Sequence, residues 1–249
     1  MTRSGWISVA HGVAMAAGGA IIMAIAHQRF WLLAGALSGF FVVAPVLATS
    51  LYAMSRALER KEPADLQLVL KTWLNWQGSH INKWGNDYWC LFQFGVLLAL
   101  AATGWVVTSA ALITLLAPAP ILGPMDFVQH VVLAKEGWLF ELWLAMGGFL
   151  AAPMFASSVV AMPLLLDRRV TLMQAIETSW QVVLENPIPM GVWSSIIMVL
   201  TLMGLVTALL GLIVVIPVLG HASWYAYRDL VDASMLPLRE SASDTKAGA

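Results

Sequence analysis

The chain has 249 residues, of which 60% are hydrophobic and 11% charged, with a mean hydropathy of +0.80 and a formal net charge of -1. So little polar surface cannot coat a soluble globule of this size, and no basic face interleaved with aromatics is present to serve a nucleic acid. A single cysteine, Cys90, excludes an internal disulfide and a cysteine-rich metal site.

A hydrocarbon layer about 30 Å thick takes about 20 apolar residues at 1.5 Å each, and six stretches approach or exceed that length. The first, Trp6 to Ala26, follows Arg3 and ends in Ala24, Ile25 and Ala26, which also resembles a cleavable secretory leader. It is read as a span because the second stretch, Phe30 to Met54, would otherwise lose its hairpin partner. Just after Pro63, Leu66, Val69, Leu70 and Trp73 recur at helical spacing and predict a short amphipathic helix. The third span runs from Tyr88 to Ala110, and the loop bearing Pro118, Pro120, Pro124, Asp126 and His130 predicts a short interfacial helix over the bundle. The fourth runs from Trp138 to Leu166. Thr171 and Gln174 then form a capping box ahead of Leu172, Ile176, Trp180 and Val183, a second amphipathic helix. Gly191 to Leu209 and Gly211 to Tyr227 complete the set. Val192 to Leu219 is almost continuously apolar, so only Gly204, Gly211 and length arithmetic divide it; without that turn there are five spans and an outer carboxy terminus. Residues 233–249 are polar and expected to form a disordered tail.

With six spans, 11 of the 13 Lys and Arg fall on one side, leaving Arg29 and Lys135 on the other. Basic residues beside a span resist translocation, so both termini and the two amphipathic helices are expected on the cytoplasmic side. Trp6, Trp31, Trp84, Tyr88, Trp89, Trp138 and Trp193 fall near the span ends, where amphipathic rings prefer the headgroup layer. The expected fold is an all-α polytopic membrane domain over residues 1–232, with its helices paired as three parallel hairpins at about 6–54, 88–166 and 191–227.

The chain also repeats itself. Phe41 to Lys61 aligns with Phe149 to Arg169 at an offset of 108, with nine of 21 positions identical, among them Pro45/Pro153, Ser50/Ser158, Met54/Met162 and Arg60/Arg168. A weaker third copy pairs Val42 to Ala48 with Val214 to Gly220. Arg56 follows Pro45 by 11 residues and Arg228 follows Pro217 by 11, about three helical turns, which places proline and arginine on one helix face. The second copy has Leu164 at the arginine position.

The run SGFFVVAPVLATSLYAMSRALER from Ser38 to Arg60, MPLLLDRRV from Met162 to Val170 and PVLGHASWYAYRDL from Pro217 to Leu230 resemble a bacterial family of predicted integral-membrane proteins, domain of unknown function 2189. The resemblance extends from about the second span to Asp232. It implies a multi-pass protein of the bacterial cytoplasmic (inner) membrane, and it implies no particular activity.

Ionisable groups within spans are costly and mark candidate sites. His11 and His221 lie at similar depth on the first and last spans, an arrangement that suits haem clamped from both sides; the competing reading has each ring bonded to a backbone carbonyl or a hydroxyl in the bundle. No resident cofactor is expected otherwise. His221, Trp224, Tyr225 and Arg228 form an i, i+3, i+4, i+7 stripe, fit either to hold an anionic headgroup or substrate, or to anchor the helix with Arg228 paired to Asp229 or Asp232. Pro45, Pro153 and Pro217 each delete a backbone hydrogen bond and are expected to kink their helices. No phosphate loop, metalloprotease helix, nucleophile elbow or paired intramembrane carboxylate is present, so no catalytic residue and no metal ligand is assigned. The function expected is therefore a non-enzymatic accessory, assembly or interaction subunit that meets the lipid bilayer and other membrane-protein subunits. A small-solute or anionic-lipid transporter and a haem-binding electron-transfer protein are the alternatives.

Overall fold

The computed structural model describes residues 2–26, 30–78, 89–134 and 137–239. The expectations placed on Arg29, Lys83, Trp84, Tyr88, Lys135 and residues 240–249 lie outside them. Among the described residues the chain is all helical: α1 Thr2–Ala26, α2 Phe30–Leu47, α3 Thr49–Glu59, α4 Leu66–Gly78, α5 Trp89–Leu116, α6 Pro124–Phe127 continuing into a π turn at Val128–Val132, α7 Leu139–Ser158, α8 Ala161–Asp167, α9 Leu172–Glu185, α10 Pro187–Val206 and α11 Leu212–Leu230.

Four described segments are long and apolar enough to cross a membrane: Gly5–Ala26, Cys90–Leu116, Leu139–Asp167 and Pro187–Val206. The second expected span is instead divided. Its helix stops at Leu47, two residues after Pro45, and resumes at Thr49 with the Ala48 carbonyl accepting from the Leu51 and Tyr52 amides at 2.9 and 3.1 Å. The fourth span also divides, between α7 and α8, about one helical turn further along the aligned copy. Here the responsible residue is Pro163, whose ring cannot tolerate a helical carbonyl four residues earlier. Pro153, the residue singled out in the sequence, sits inside an unbroken α7. The exposed amide of Val160 at this break is taken up by the buried Ser179 hydroxyl of α9 at 3.1 Å.

Each break creates a short helix without a lipid-facing side. Every residue of α3 from Thr49 to Ala57 is buried, as is every residue of α8. These two segments contact each other, and both contact α11. The break also means that Pro45 and Arg56 do not share one continuous helix, whereas Pro217 and Arg228 do.

Around this pair, α1 packs along α11 and against α2, α2 along α5, α5 against α7, and α10 against α11. The first and last helices are thus neighbours. Gly12 makes that contact possible: a Cβ there would lie 2.6 Å from the Ile213 carbonyl carbon, and Ile213 is the residue whose carbonyl Pro217 leaves without its helical partner.

A real turn at 207–211 separates α10 from α11, with Ala208 and Leu209 in left-handed backbone at φ 51 and 70. The Thr207 hydroxyl caps the Gly211 amide at 2.9 Å. Glycine is required because a Cβ on Gly211 would lie 2.9 Å from the Gly204 Cα.

Between the spans, α9 opens on its capping box, Gln174 amide to Thr171 hydroxyl at 3.2 Å and Thr171 amide to Gln174 side chain at 3.0 Å. Its inward line is Ala175, Ser179 and Val182, with Leu172, Ile176 and Val183 flanking the same core. The α4 helix buries Val69 and Thr72 and leaves Leu66 and Leu70 exposed. The short α6 and its π turn cover the other end, where Phe30, Phe127, Phe140 and Trp143 pack around Ile113, Ile121, Val131 and Leu139.

Replacing Gly12 by Ala must separate α1 from α11, because the obstacle is backbone, and should cost about 1–3 kcal/mol. Gly5→Ala on the same helix, where nothing lies within 4 Å, should be neutral or slightly stabilising. Thermal unfolding of the two variants in one detergent decides the matter; equal midpoints would show that the α1–α11 approach is not tight.

Candidate functional site

The α11 helix supplies most of the chemistry. Its buried residues, Leu212, Pro217, Gly220, Trp224 and Tyr227, form one face. His221 and Arg228 lie along one edge of that face, and Tyr225, 49% exposed, lies outside it. The stripe read from sequence therefore divides: His221, Trp224 and Arg228 turn toward partners in the bundle, Tyr225 does not, and the adjacent Tyr227 belongs to the site instead.

Two polar webs hold this face. In the first, the His11 Nδ1–H donates to the Ile7 carbonyl at 2.8 Å, and Nε2 is hydrogen-bonded to the Ser50 hydroxyl at 2.6 Å. Ser55 donates to the Leu51 carbonyl at 2.9 Å, so its oxygen accepts His221 Nδ1–H at 2.6 Å, leaving His221 Nε2 to accept the Ser8 hydroxyl at 2.9 Å. Helices α1, α3 and α11 are stitched together by these bonds. Both nitrogens of both imidazoles are engaged, so haem ligation through Nε2 requires breaking the Ser50 and Ser8 bonds. Among the described residues no group of three or more His, Cys, Asp or Glu is placed to hold a metal ion.

The second web lies at the end of the bundle where α3, α8 and α11 finish. Asp167, 2% exposed, accepts Arg168 Nε at 2.9 Å, the Tyr227 hydroxyl at 3.0 Å and Arg60 at 3.3 Å. Glu59 accepts Trp224 Nε1 at 3.1 Å and Arg228 Nε at 3.0 Å. Arg56, 6% exposed, donates to the Leu166 carbonyl at 2.8 Å. Arg228 thus forms its ion pair across the bundle, with Glu59, while the Asp232 carboxylate accepts the Ser234 amide at 3.0 Å. Bonds from the Ser234 side chain and amide hold that carboxyl below its ordinary range.

Glu59 and Asp167 occupy equivalent positions in the two aligned copies, directly before Arg60 and Arg168. Both carboxylates reach α11. Sequence reasoning missed them, although their shared register in the repeat was the available signal.

The segment after Asp232 is not free where it is described. Arg168 donates to the Leu236 carbonyl at 2.8 Å, the Arg169 amide to Pro237 at 2.9 Å and the Arg239 amide to Asp167 at 3.0 Å. Arg239, 4% exposed, also reaches the Cys90 sulfur at 3.6 Å. Residues 233–239 are therefore a packed strap rather than the start of a polar tail.

Beside the first web is a hollow of about 350 Å³, lined by His11, Ala14 and Met15 of α1, Phe40 of α2, Leu51 of α3, Trp73 of α4 and Ile216 of α11, with Ala48 at the helix break.

Residues 32–167 match the model of a family described as a predicted integral membrane protein, domain of unknown function 2189, and the chain belongs to that family. No curated protein and no solved structure matches it. The matched segment begins in α2 and ends at Asp167, so it contains both broken helices; Pro217 to Leu230, which carried part of the resemblance, lies beyond it.

Asp167→Ala leaves Arg168 and Arg60 without their shared carboxylate and should cost about 3 kcal/mol, breaking a largely buried pair. Glu59→Gln weakens only a half-exposed pair and should cost less than about 1 kcal/mol. Unfolding midpoints, together with protease cleavage rates in residues 233–239, test this order. Equal effects of the two changes would remove Asp167 as the hub.

Proposed function

We propose that this integral membrane protein is a non-enzymatic component of the bacterial inner membrane that crosses the bilayer six times as three like-oriented hairpins, with both termini cytoplasmic, and serves as an accessory, assembly or interaction subunit of a larger membrane complex. The observation that carries this reading is the contrast between α11 and α10. The charged and imidazole groups around α11 are consumed by partners within the chain, whereas only Met190 and Gly204 of α10 are buried. Ile188, Val192, Ile196, Val199 and Met203 of α10 are all exposed, a surface suited to lipid or another helix. The packing of α1 on α2, α5 on α7 and α10 on α11 supports the hairpins. The gathering of Arg56, Arg60, Arg168, Arg228 and Arg239 at one end supports the orientation.

A transporter is the second reading. It is favoured by the two discontinuous spans that meet at the centre, since broken helices often build substrate sites.

Extraction in native lipid discs should return the chain with a co-migrating membrane partner, and Val199→Arg on α10 should release it. Recovery of a lone monomer counts against the subunit role. Solute flux in proteoliposomes that is lost with His221→Ala and Arg228→Ala would favour the transporter instead.

A further inference from the structure

The hollow beside His11 is unlike the lipid-facing grooves elsewhere on the molecule. A larger groove of about 590 Å³ runs along α10, but residues of that single helix line it, from Pro187 to Leu200. The hollow of about 350 Å³ is walled by five helices and by the break at Ala48, and its volume falls among those of small-molecule sites. Its composition restricts what enters. Among the described residues two lining side chains carry ring nitrogens, His11 and Trp73; both nitrogens of His11 are already engaged, by Ile7 and Ser50, and the other lining side chains are aliphatic or phenyl. A water molecule needs two to four polar partners, so water is a poor occupant. The volume arises where Ala14 and Ala48 present small side chains between the broader Phe40 and Trp73. Met15 and Leu51, at 7% and 0% exposure, close its inner side, and the exposed Ala14 marks a mouth that faces sideways, out of α1.

We infer that this hollow is a binding site for one linear hydrocarbon chain, the acyl chain of a membrane lipid, inserted between α1 and α4 against the discontinuity of α2 and α3. An acyl chain matches a wall whose described residues are mostly aliphatic or aromatic. The bilayer in which this family resides presents such chains at the mouth. Seated there, the chain packs against Leu51, next to the Ser50–His11 bond, and so steadies the junction on which α3 turns inward. This site is independent of the subunit role proposed above, because its walls share no residue with the exposed face of α10.

The test is photolabelling of the full-length protein in bilayer discs containing phosphatidylglycerol with a diazirine on its acyl chain, read by peptide mass spectrometry. Adducts on Met15, Leu51 and Trp73 are expected to saturate at low probe fraction, whereas those on Val192, Ile196 and Val199 of α10 rise in proportion to probe. Ala14→Trp, which fills the hollow, should lower the saturable adducts by about tenfold or more and leave α10 labelling unchanged. A parallel arm with diazirine-bearing palmitic acid separates the two sources: labelling there alone assigns the chain to free fatty acid rather than phospholipid. Wall labelling that tracks α10 labelling without saturating, or no wall adducts from either probe, overturns the site; this comparison needs only the unmodified protein, so it stands even if Ala14→Trp does not fold.

Discussion

Neutralising the buried carboxylate of Asp167 is the requirement around which the fold is arranged. A carboxylate removed from water is costly unless cations and donors surround it, and here the donors come from three distant parts of the chain: Arg60 at the end of α3, Arg168 next in sequence, and Tyr227 on α11. The main chain of the same residue accepts the Arg239 amide. Meeting these demands together brings the two aligned copies, the last helix and the closing strap to one point. Glu59 performs the corresponding task one helix away, for Trp224 and Arg228.

The two broken spans follow from the same economy of polar groups. In hydrocarbon every backbone amide and carbonyl must find a partner inside the protein, so a span can break only where something else bonds the freed groups. At Val160 that partner is Ser179 of α9; at Ala48 it is the first turn of α3 itself. The half-helices beyond the breaks are buried all round, and their hydroxyls, Ser50 and Ser55, are what the histidines of α1 and α11 bind. Both aligned segments contribute a short buried helix to one centre, and the family match from 32 to 167 spans both. The acidic positions that close the copies then meet a helix outside that match.

Function divides along the same line. The interior is largely self-satisfied, its polar groups spent on holding α1, α3, α8 and α11 in register. Among the described residues, the outward face of α10 and the hollow under Ala14 are apolar. Both suit apolar surroundings such as lipid or another helix, and neither demands chemistry from the side chains that line it.

The sequence by itself determined the helical class, the apolar stretches and the α9 capping box, because each depends on local hydropathy, capping or backbone sterics that a few neighbouring residues set, whereas the turn at 207–211 was left open between six spans and five. It also exposed the repeat, and with it the register of Glu59 and Asp167. It did not reveal that Pro163 rather than Pro153 divides the fourth span, since a proline ring is tolerated or not according to what bonds the groups it frees. Nor did it place Tyr227 above Tyr225, or turn residues 233–239 back onto α8: those choices rest on partners more than 50 residues away in the chain. Only the tertiary structure decided which groups are paired, because hydrogen bonds across helices depend on how the helices pack, and their spacing along the chain carries no record of it.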